Sequence, residues 1–217
     1  MKKYILFGGV AVVAVLLVVF GPALLGLYRL QNYVTASVDA YQADGGPWPH
    51  LADVCLNCHG VRGNSLDQGY PSLAAQPAPY VATQLRNFSS GQRANPAMAP
   101  LAMTLSDAEI KSLSDYYAKQ PADENRFFHA DPGLRAKGEQ LVSGGQCAAC
   151  HGGKLMGRDQ FPRLAGQGYD YLLKQLDAFA DGTRVEATGA MKNIAVAMSP
   201  EDRKAIANYL ASLNPNR

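Results

Sequence analysis

The 217-residue chain has little cysteine: only Cys55, Cys58, Cys147 and Cys150. All four fall inside two short motifs, so none is left for a structural disulfide. Nor is there a surplus of charge. Lys2, Lys3 and Arg29 belong to the N-terminal segment, and without them the 20 basic residues fall to 17, against 18 acidic ones. That balance excludes a nucleic-acid-binding surface and leaves no strong field to steer a partner from a distance. No strand-rich pattern surrounds either cysteine pair, which removes the βαβ setting of a thioredoxin-like dithiol. A fourth lack is local: Tyr4 to Tyr28 contains no charged residue.

What is there starts with Cys55-Leu56-Asn57-Cys58-His59 and its echo, Cys147-Ala148-Ala149-Cys150-His151. Each reads C-x-x-C-H, the pattern of c-type haem attachment. Thiols three positions apart lie on adjacent points of one helical turn, where they can add across the two vinyl groups of one porphyrin. The next residue, histidine, is then held against the ring face as proximal ligand to the iron. A zinc ribbon also pairs C-x-x-C units, but at a separation of roughly 15–20 residues. Here the pairs are much farther apart, and a histidine follows both. The expectation is two covalently bound haem c groups, with Cys55, Cys58, Cys147 and Cys150 holding the porphyrins and His59 and His151 the irons.

The uncharged run from Tyr4 to Tyr28 is rich in valine and leucine. As a helix of about 24 residues it spans roughly 36 Å, enough to cross the hydrocarbon core with some tilt. A cleaved signal peptide has a shorter apolar stretch, of about 7–15 residues, and ends in a small-residue site; Thr35-Ala36-Ser37 is only a weak one. Pro22 can bend the helix without preventing it from spanning. The expectation is one N-terminal transmembrane helix with Lys2 and Lys3 in the cytoplasm and everything after Tyr28 outside. Residues 1–30 are read as the anchor and 31–45 as a tether ending in the turn-rich Asp44-Gly45-Gly46-Pro47-Trp48-Pro49.

The rest is an internal repeat: residues 46–122, a linker at 123–130, and residues 131–217. Pro71, Leu73, Gln76, Tyr80, Gln84, Leu85, Phe88, Gly91 and Arg93 recur as Pro162, Leu164, Gln167, Tyr171, Gln175, Leu176, Phe179, Gly182 and Arg184. Val81, Leu85 and Phe88 form a helical stripe, as do Leu172, Leu176 and Phe179. Ser106-Asp107-Ala108-Glu109 is a capping box. Ser199 and Pro200 begin the matching helix as N-cap and first helical residue. Only the second repeat opens with a helix, from Asp131 through Val142. Met98 and Met191 occupy equivalent positions, eight residues before Ser106 and Ser199, and are the expected sixth ligands. Met103, Met156 and Met198 lack that correspondence. Pro71 and Pro162 are expected to offer their carbonyls to the histidine N–H groups. For Tyr80, Tyr171, Gln84, Gln175, Arg93 and Arg184, the haem propionates, an inter-domain seam and plain helix surface all stay open as readings. His50 and His129 are expected at the surface or in a cap.

The tandem C-x-x-C-H-G units resemble the dihaem cytochrome c4 family. So do Pro-x-Leu-Ala-x-Gln at 71–76 and 162–167, the Tyr-x-x-x-Gln-Leu-x-x-Phe helix, the Gly-x-Arg loop before the methionine, and the Asp-Pro-Gly-Leu entry to the second repeat. The resemblance covers roughly residues 46–217. It implies an all-α fold of two tandem class I cytochrome c domains with haem edges close together and His/Met ligation at both irons. It implies single-electron transfer in the bacterial periplasm without substrate turnover. The implied redox partners are a quinol-cytochrome c oxidoreductase and a terminal oxidase, cbb3-type or similar. The chain departs from the pattern in its inner-membrane anchor and in the missing first helix of its first domain. Two alternatives carry other expectations: a dedicated subunit of a larger respiratory complex, and a dihaem peroxidase or thiosulfate-oxidising enzyme, which needs an open iron.

Overall fold

A computed structural model describes residues 2–43 and 50–217. The chain divides into two units, residues 1–47 and 48–217. The first is a helix, α1 (Lys2–Ala43), with Pro22 inside it. Forty-two residues at 1.5 Å each make a rod of about 63 Å. Its Ala14–Tyr41 stretch is long and apolar enough to cross a membrane. Residues 31–43 of the expected tether continue this helix, since no glycine or proline falls there. The turn-rich stretch, 44–49, lies outside the described residues.

The second unit is helical, with one isolated antiparallel bridge between Arg158 and Phe161 and no strand among the described residues. A 3-10 turn at Leu51–Cys55 leads into α2 (Leu56–His59), α3 (Ala78–Ser89), α4 (Met98–Met103) and α5 (Asp107–Lys119). The same order recurs as α6 (Pro132–Gly144), α7 (Cys147–His151), α8 (Tyr169–Asp181), α9 (Ala190–Val196) and α10 (Pro200–Ala211). In each repeat the penultimate long helix packs on the last, α3 on α5 and α8 on α10. The predicted stripes face inward: Val81 and Phe88 are buried on α3, and Leu172, Leu176 and Phe179 on α8.

Helix starts follow local chemistry. Ser106 caps α5 by accepting from Glu109 N–H while Glu109 answers at Ser106 N–H. Ser199 and Asp202 do the same for α10. Asp131 accepts from Leu134 N–H at 2.8 Å and so starts α6 at Pro132. Helix α6 crosses α10 closely enough that a Cβ on Gly138 would lie 2.1 Å from the Ala205 carbonyl oxygen. That contact requires glycine. The first repeat opens instead with the 3-10 turn, whose first turn is held by His50 N–H donating to Asp53.

Candidate haem sites and the seam between the repeats

Both C-x-x-C-H motifs form a single helical turn ending at a glycine. Gly60 (φ 74°) follows His59, and Gly152 (φ 82°) follows His151. Positive φ stops each helix at the histidine. It turns the chain so sharply that a Cβ on Gly60 would lie 1.9 Å from the Asn64 carbonyl oxygen. None of the four thiols is in a disulfide. Burial pushes the Cys55 and Cys147 thiols up, and Tyr117 hydrogen-bonds to Cys55. Among the described residues no three His, Cys, Asp or Glu side chains cluster to hold a bare metal ion, which leaves the cysteine pairs without the partners a zinc site needs.

The two histidines are equally buried, at 6% exposure each. His59 Nδ1 lies 2.8 Å from the Pro71 carbonyl oxygen, and His151 Nδ1 lies 2.8 Å from that of Pro162. A carbonyl can only accept, so Nδ1 carries the hydrogen in both rings, and Nε2 keeps the lone pair a metal takes. Burial holds both imidazoles below their usual pKa, against the pull of the carbonyl. Each ring is thus neutral, oriented and ready to ligate, as the prolines' spacing led one to expect.

Met98 is the first residue of α4, and its N–H donates to Asn95 Oδ1 at 2.9 Å. Met191 is the second residue of α9, and its N–H donates to Glu186 Oε1 at 3.1 Å. Different side chains thus present the equivalent methionine in the same way; both methionines are half-buried. Met103, at the far end of α4, is 68% exposed. Met156, Met191 and Met198 all pack against the apolar core of the second repeat, so packing does not separate them and the repeat correspondence does. His50 pairs with Asp53 in the 3-10 turn, and His129 is exposed.

The six polar residues with open readings meet at a seam between the repeats. Arg93 donates to Gln84 of its own repeat at 2.8 Å and, across the seam, to Tyr171 Oη at 3.0 Å and Gln175 at 2.9 Å. Arg184 mirrors it, donating to Gln175 at 2.8 Å, Tyr80 Oη at 3.1 Å and Gln84 at 3.3 Å. The guanidiniums also stack alike, Arg93 over Phe88 and Arg184 over Phe179, at 4.7 and 4.6 Å from the ring centroids. Burial works against an ionised Tyr171, but Arg93 and Arg184 more than offset it and hold that phenol below its usual range. In the linker, Asn125 exchanges two side-chain hydrogen bonds with Gln68 and donates a third to the Gln167 carbonyl.

Sequence reasoning missed the residues beneath that seam. Gln76 and Gln167 are buried and bond to the backbone of the opposite repeat at Arg163 and Ser72. Their recurrence in both copies of Pro-x-Leu-Ala-x-Gln was the available signal: a long polar side chain kept at the same place in two apolar loops. Arg163 is 1% exposed and has no acidic partner among the described residues. It donates from Nε to the Ala74 carbonyl at 3.0 Å and from Nη1 to that of Ala165. Burial pushes it down to about 10, leaving it charged at neutral pH. Its Nη2 has no protein partner. An unsatisfied buried donor on a cation, one residue after the proline that binds His151, fits a cofactor that carries carboxylates, and with the two oriented imidazoles the residues present fit haem c.

Residues 135–214 match the family model described as "Cytochrome c", and residues 47–116 that described as "Cytochrome C oxidase, cbb3-type, subunit III". Cytochrome c4 of Thiocapsa roseopersicina is 38% identical over 172 residues, 74% of this chain and 88% of that protein. The thiosulfate dehydrogenase electron acceptor of Thiomonas intermedia (strain K12) is 34% identical over 181 residues, 78% of this chain and 83% of that protein. Among solved structures, reduced recombinant cytochrome c4 from Pseudomonas stutzeri superposes with a TM-score of 0.70 at 32% identity, covering 75% of this chain and 95% of that one.

Proposed function

Because the chain belongs to the dihaem cytochrome c4 family, we propose that it is a membrane-anchored carrier of single electrons in a bacterial respiratory chain. Two covalently bound haem c groups supply the redox chemistry. In this reading Cys55 and Cys58 hold one porphyrin and Cys147 and Cys150 the other. His59 and Met98 ligate the first iron; His151 and Met191 ligate the second. Residues 46–122 and 131–217 are the two haem domains, joined through 123–130.

The observation that carries the reading is the matched pair of sites. Each histidine keeps Nε2 for iron by donating Nδ1–H to a proline carbonyl, and each methionine N–H donates to a side-chain oxygen upstream, Asn95 in one repeat and Glu186 in the other. A thioether and an imidazole together would close a haem iron to oxygen or peroxide and raise its potential. Such a centre relays electrons and turns over no substrate. Hydrogen bonds from Arg93 and Arg184 tie the repeats together across the seam, an arrangement in which an electron would pass between the two haems without a domain movement.

The anchor reading rests on α1. Its large apolar side chains from Val15 to Val38 stand exposed, a surface that water does not favour over this length and that lipid would cover. With Lys2 and Lys3 in the cytoplasm, the haem domains sit in the periplasm. A tether confines the carrier near membrane partners and raises their effective concentration. The partners in this reading are a quinol-oxidising complex as donor and a terminal oxidase as acceptor.

The test is electron flow in native membranes. Quinol should reduce both haems through the quinol-oxidising complex, and the oxidase should reoxidise them. A variant cleaved after residue 30 should keep its spectrum and slow in both steps. Haems that stay oxidised in the presence of quinol and its oxidising complex contradict the reading. The match of residues 47–116 to a cbb3-type oxidase subunit model favours a second reading, a dedicated subunit of a larger complex. Mild detergent extraction separates the two, since a subunit comes out in fixed stoichiometry with other chains and a carrier does not.

A further inference from the structure

The peptide unit after each histidine-binding proline is hydrogen-bonded at both of its polar groups. In the first repeat, the Pro71 carbonyl accepts from His59 Nδ1 at 2.8 Å. The N–H of the same peptide, on Ser72, donates to Gln167 Oε1 at 2.7 Å. Gln167 Nε2 closes the ring by donating to the Ser72 carbonyl at 2.9 Å. In the second repeat, the Pro162 carbonyl accepts from His151 Nδ1 at 2.8 Å. The Arg163 N–H donates to Gln76 Oε1 at 2.9 Å, and Gln76 Nε2 donates to the Arg163 carbonyl at 3.1 Å. Both glutamines are almost wholly buried, Gln76 at 4% and Gln167 at 1% exposure. Gln167 belongs to the second repeat and Gln76 to the first, so each holds the peptide that orients the other repeat's histidine.

We propose that Gln76 and Gln167 are crossed positioning residues: each sets the donor strength of the histidine in the opposite domain, and so tunes the potential of the haem in that domain. The proposal rests on His59 and His151 being the iron ligands. Resonance ties the C=O and N–H of one peptide together. An acceptor on the N–H therefore makes the carbonyl more negative, and hydrogen bonds in series reinforce one another in a dry interior. A more negative carbonyl draws harder on the imidazole Nδ1–H and makes Nε2 a stronger donor to iron. A stronger donor favours ferric iron and lowers the potential. The glutamine oxygen thus acts on the iron through one peptide and one imidazole. A glutamine that only glued the domains together would have no reason to face this peptide rather than another. The backgrounds differ, since Arg163 places a buried cation where the first repeat has Ser72, so the effect is to be read as a change at each haem separately.

The test uses the full-length holoprotein, with each haem assigned by NMR of its ring methyls and its potential followed by spectroelectrochemical titration. Gln167→Met keeps the bulk and removes both hydrogen bonds to Ser72, along with the one Gln167 Oε1 accepts from Gly168 N–H at 3.0 Å. It should raise the potential of the haem on Cys55 and Cys58, increasing its ferrous-to-ferric ratio at fixed applied potential by roughly threefold, as suits a group one step beyond the ligand's own partner. The haem on Cys147 and Cys150 should shift much less. Gln76→Met should give the reverse pattern. A larger shift at the mutated residue's own haem than at the opposite one, equal shifts at both, or none at either overturns the proposal. Should the methionine variants lose haem, Gln167→Glu and Gln76→Glu carry the test. Protonated, that carboxyl offers the same acceptor and donor and should reproduce the parent potential. Ionised, it is a stronger acceptor and should lower the potential of the opposite haem; a pH titration that moves only the near haem, or neither, again overturns it. Parent protein without a His/Met spectrum would instead defeat the proposed ligation, so the two failures are distinguishable.

Discussion

The two repeats agree where they face cofactor and seam and differ where they only support themselves. The second is closed by α6 crossing α10 at Gly138, fastened by a Lys137–Asp202 ion pair at 2.7 Å and by Arg135 donating to Ser212 Oγ. The first has a 3-10 turn in that place, with Ala52, Leu113 and Tyr117 as its buried cluster. Yet both have the imidazole held at 2.8 Å by a proline carbonyl, the methionine N–H donating to an upstream side-chain oxygen, and an arginine donating to a tyrosine and a glutamine across the seam. The fold tolerates a missing helix more readily than a changed ligand environment. Because each repeat contributes half of every seam contact, the first can lean on the second.

That comparison can be broken most severely at the two methionines proposed as ligands. Met98→Ala and Met191→Ala should each open one iron and leave the other closed, halving the sulfur-to-iron charge-transfer absorbance. Met103→Ala and Met198→Ala should leave it whole; an open iron in either of those variants would break the equivalence of the repeats. Next in size is Gly138→Leu. The added side chain cannot fit beside the Ala205 carbonyl, and overpacking of this kind costs about 2–3 kcal/mol. Denaturant unfolding should show the loss first at the second haem, since the first repeat has no such crossing. The caps should behave alike in both repeats: Ser106→Ala and Ser199→Ala should each cost about 1 kcal/mol, and clearly unequal values would mean the two last helices carry different shares of stability. Smallest is Lys111→Ala, which removes an exposed i,i+4 pair with Asp115 and should change stability by under about 0.5 kcal/mol.

Much of this was legible because it is local. Two C-x-x-C-H motifs announce the haems, stripes such as Val81, Leu85 and Phe88 announce helices, and Ser106 with Glu109 marks a helix start. The repeat itself shows that Met98 and Met191 hold equivalent positions, which makes them the proposed ligands. What stayed hidden depends on the other half of the molecule. Arg93, Tyr80 and Gln84 could as well have met propionates as Tyr171 and Gln175, since nothing in a helix pattern says which surface docks. Gln76 and Gln167 bond to backbone, which every residue has, so no partner residue betrays them. Gly138 looks like any helix glycine until α10 is laid across it. The continuation of α1 to Ala43 was hidden for a simpler reason: the turn-rich stretch at 44–49 marks residues 31–45 as a tether, but no glycine or proline before it stops a helix already under way.

Carbon monoxide added to the reduced, full-length protein at neutral pH asks most directly whether both irons are closed. With a methionine sulfur and an imidazole nitrogen on each, no ferrous–CO complex should form at either haem. A ferrous–CO band from even one of the two, at substantial occupancy in unmodified protein, would contradict the account of this chain as a pure electron relay.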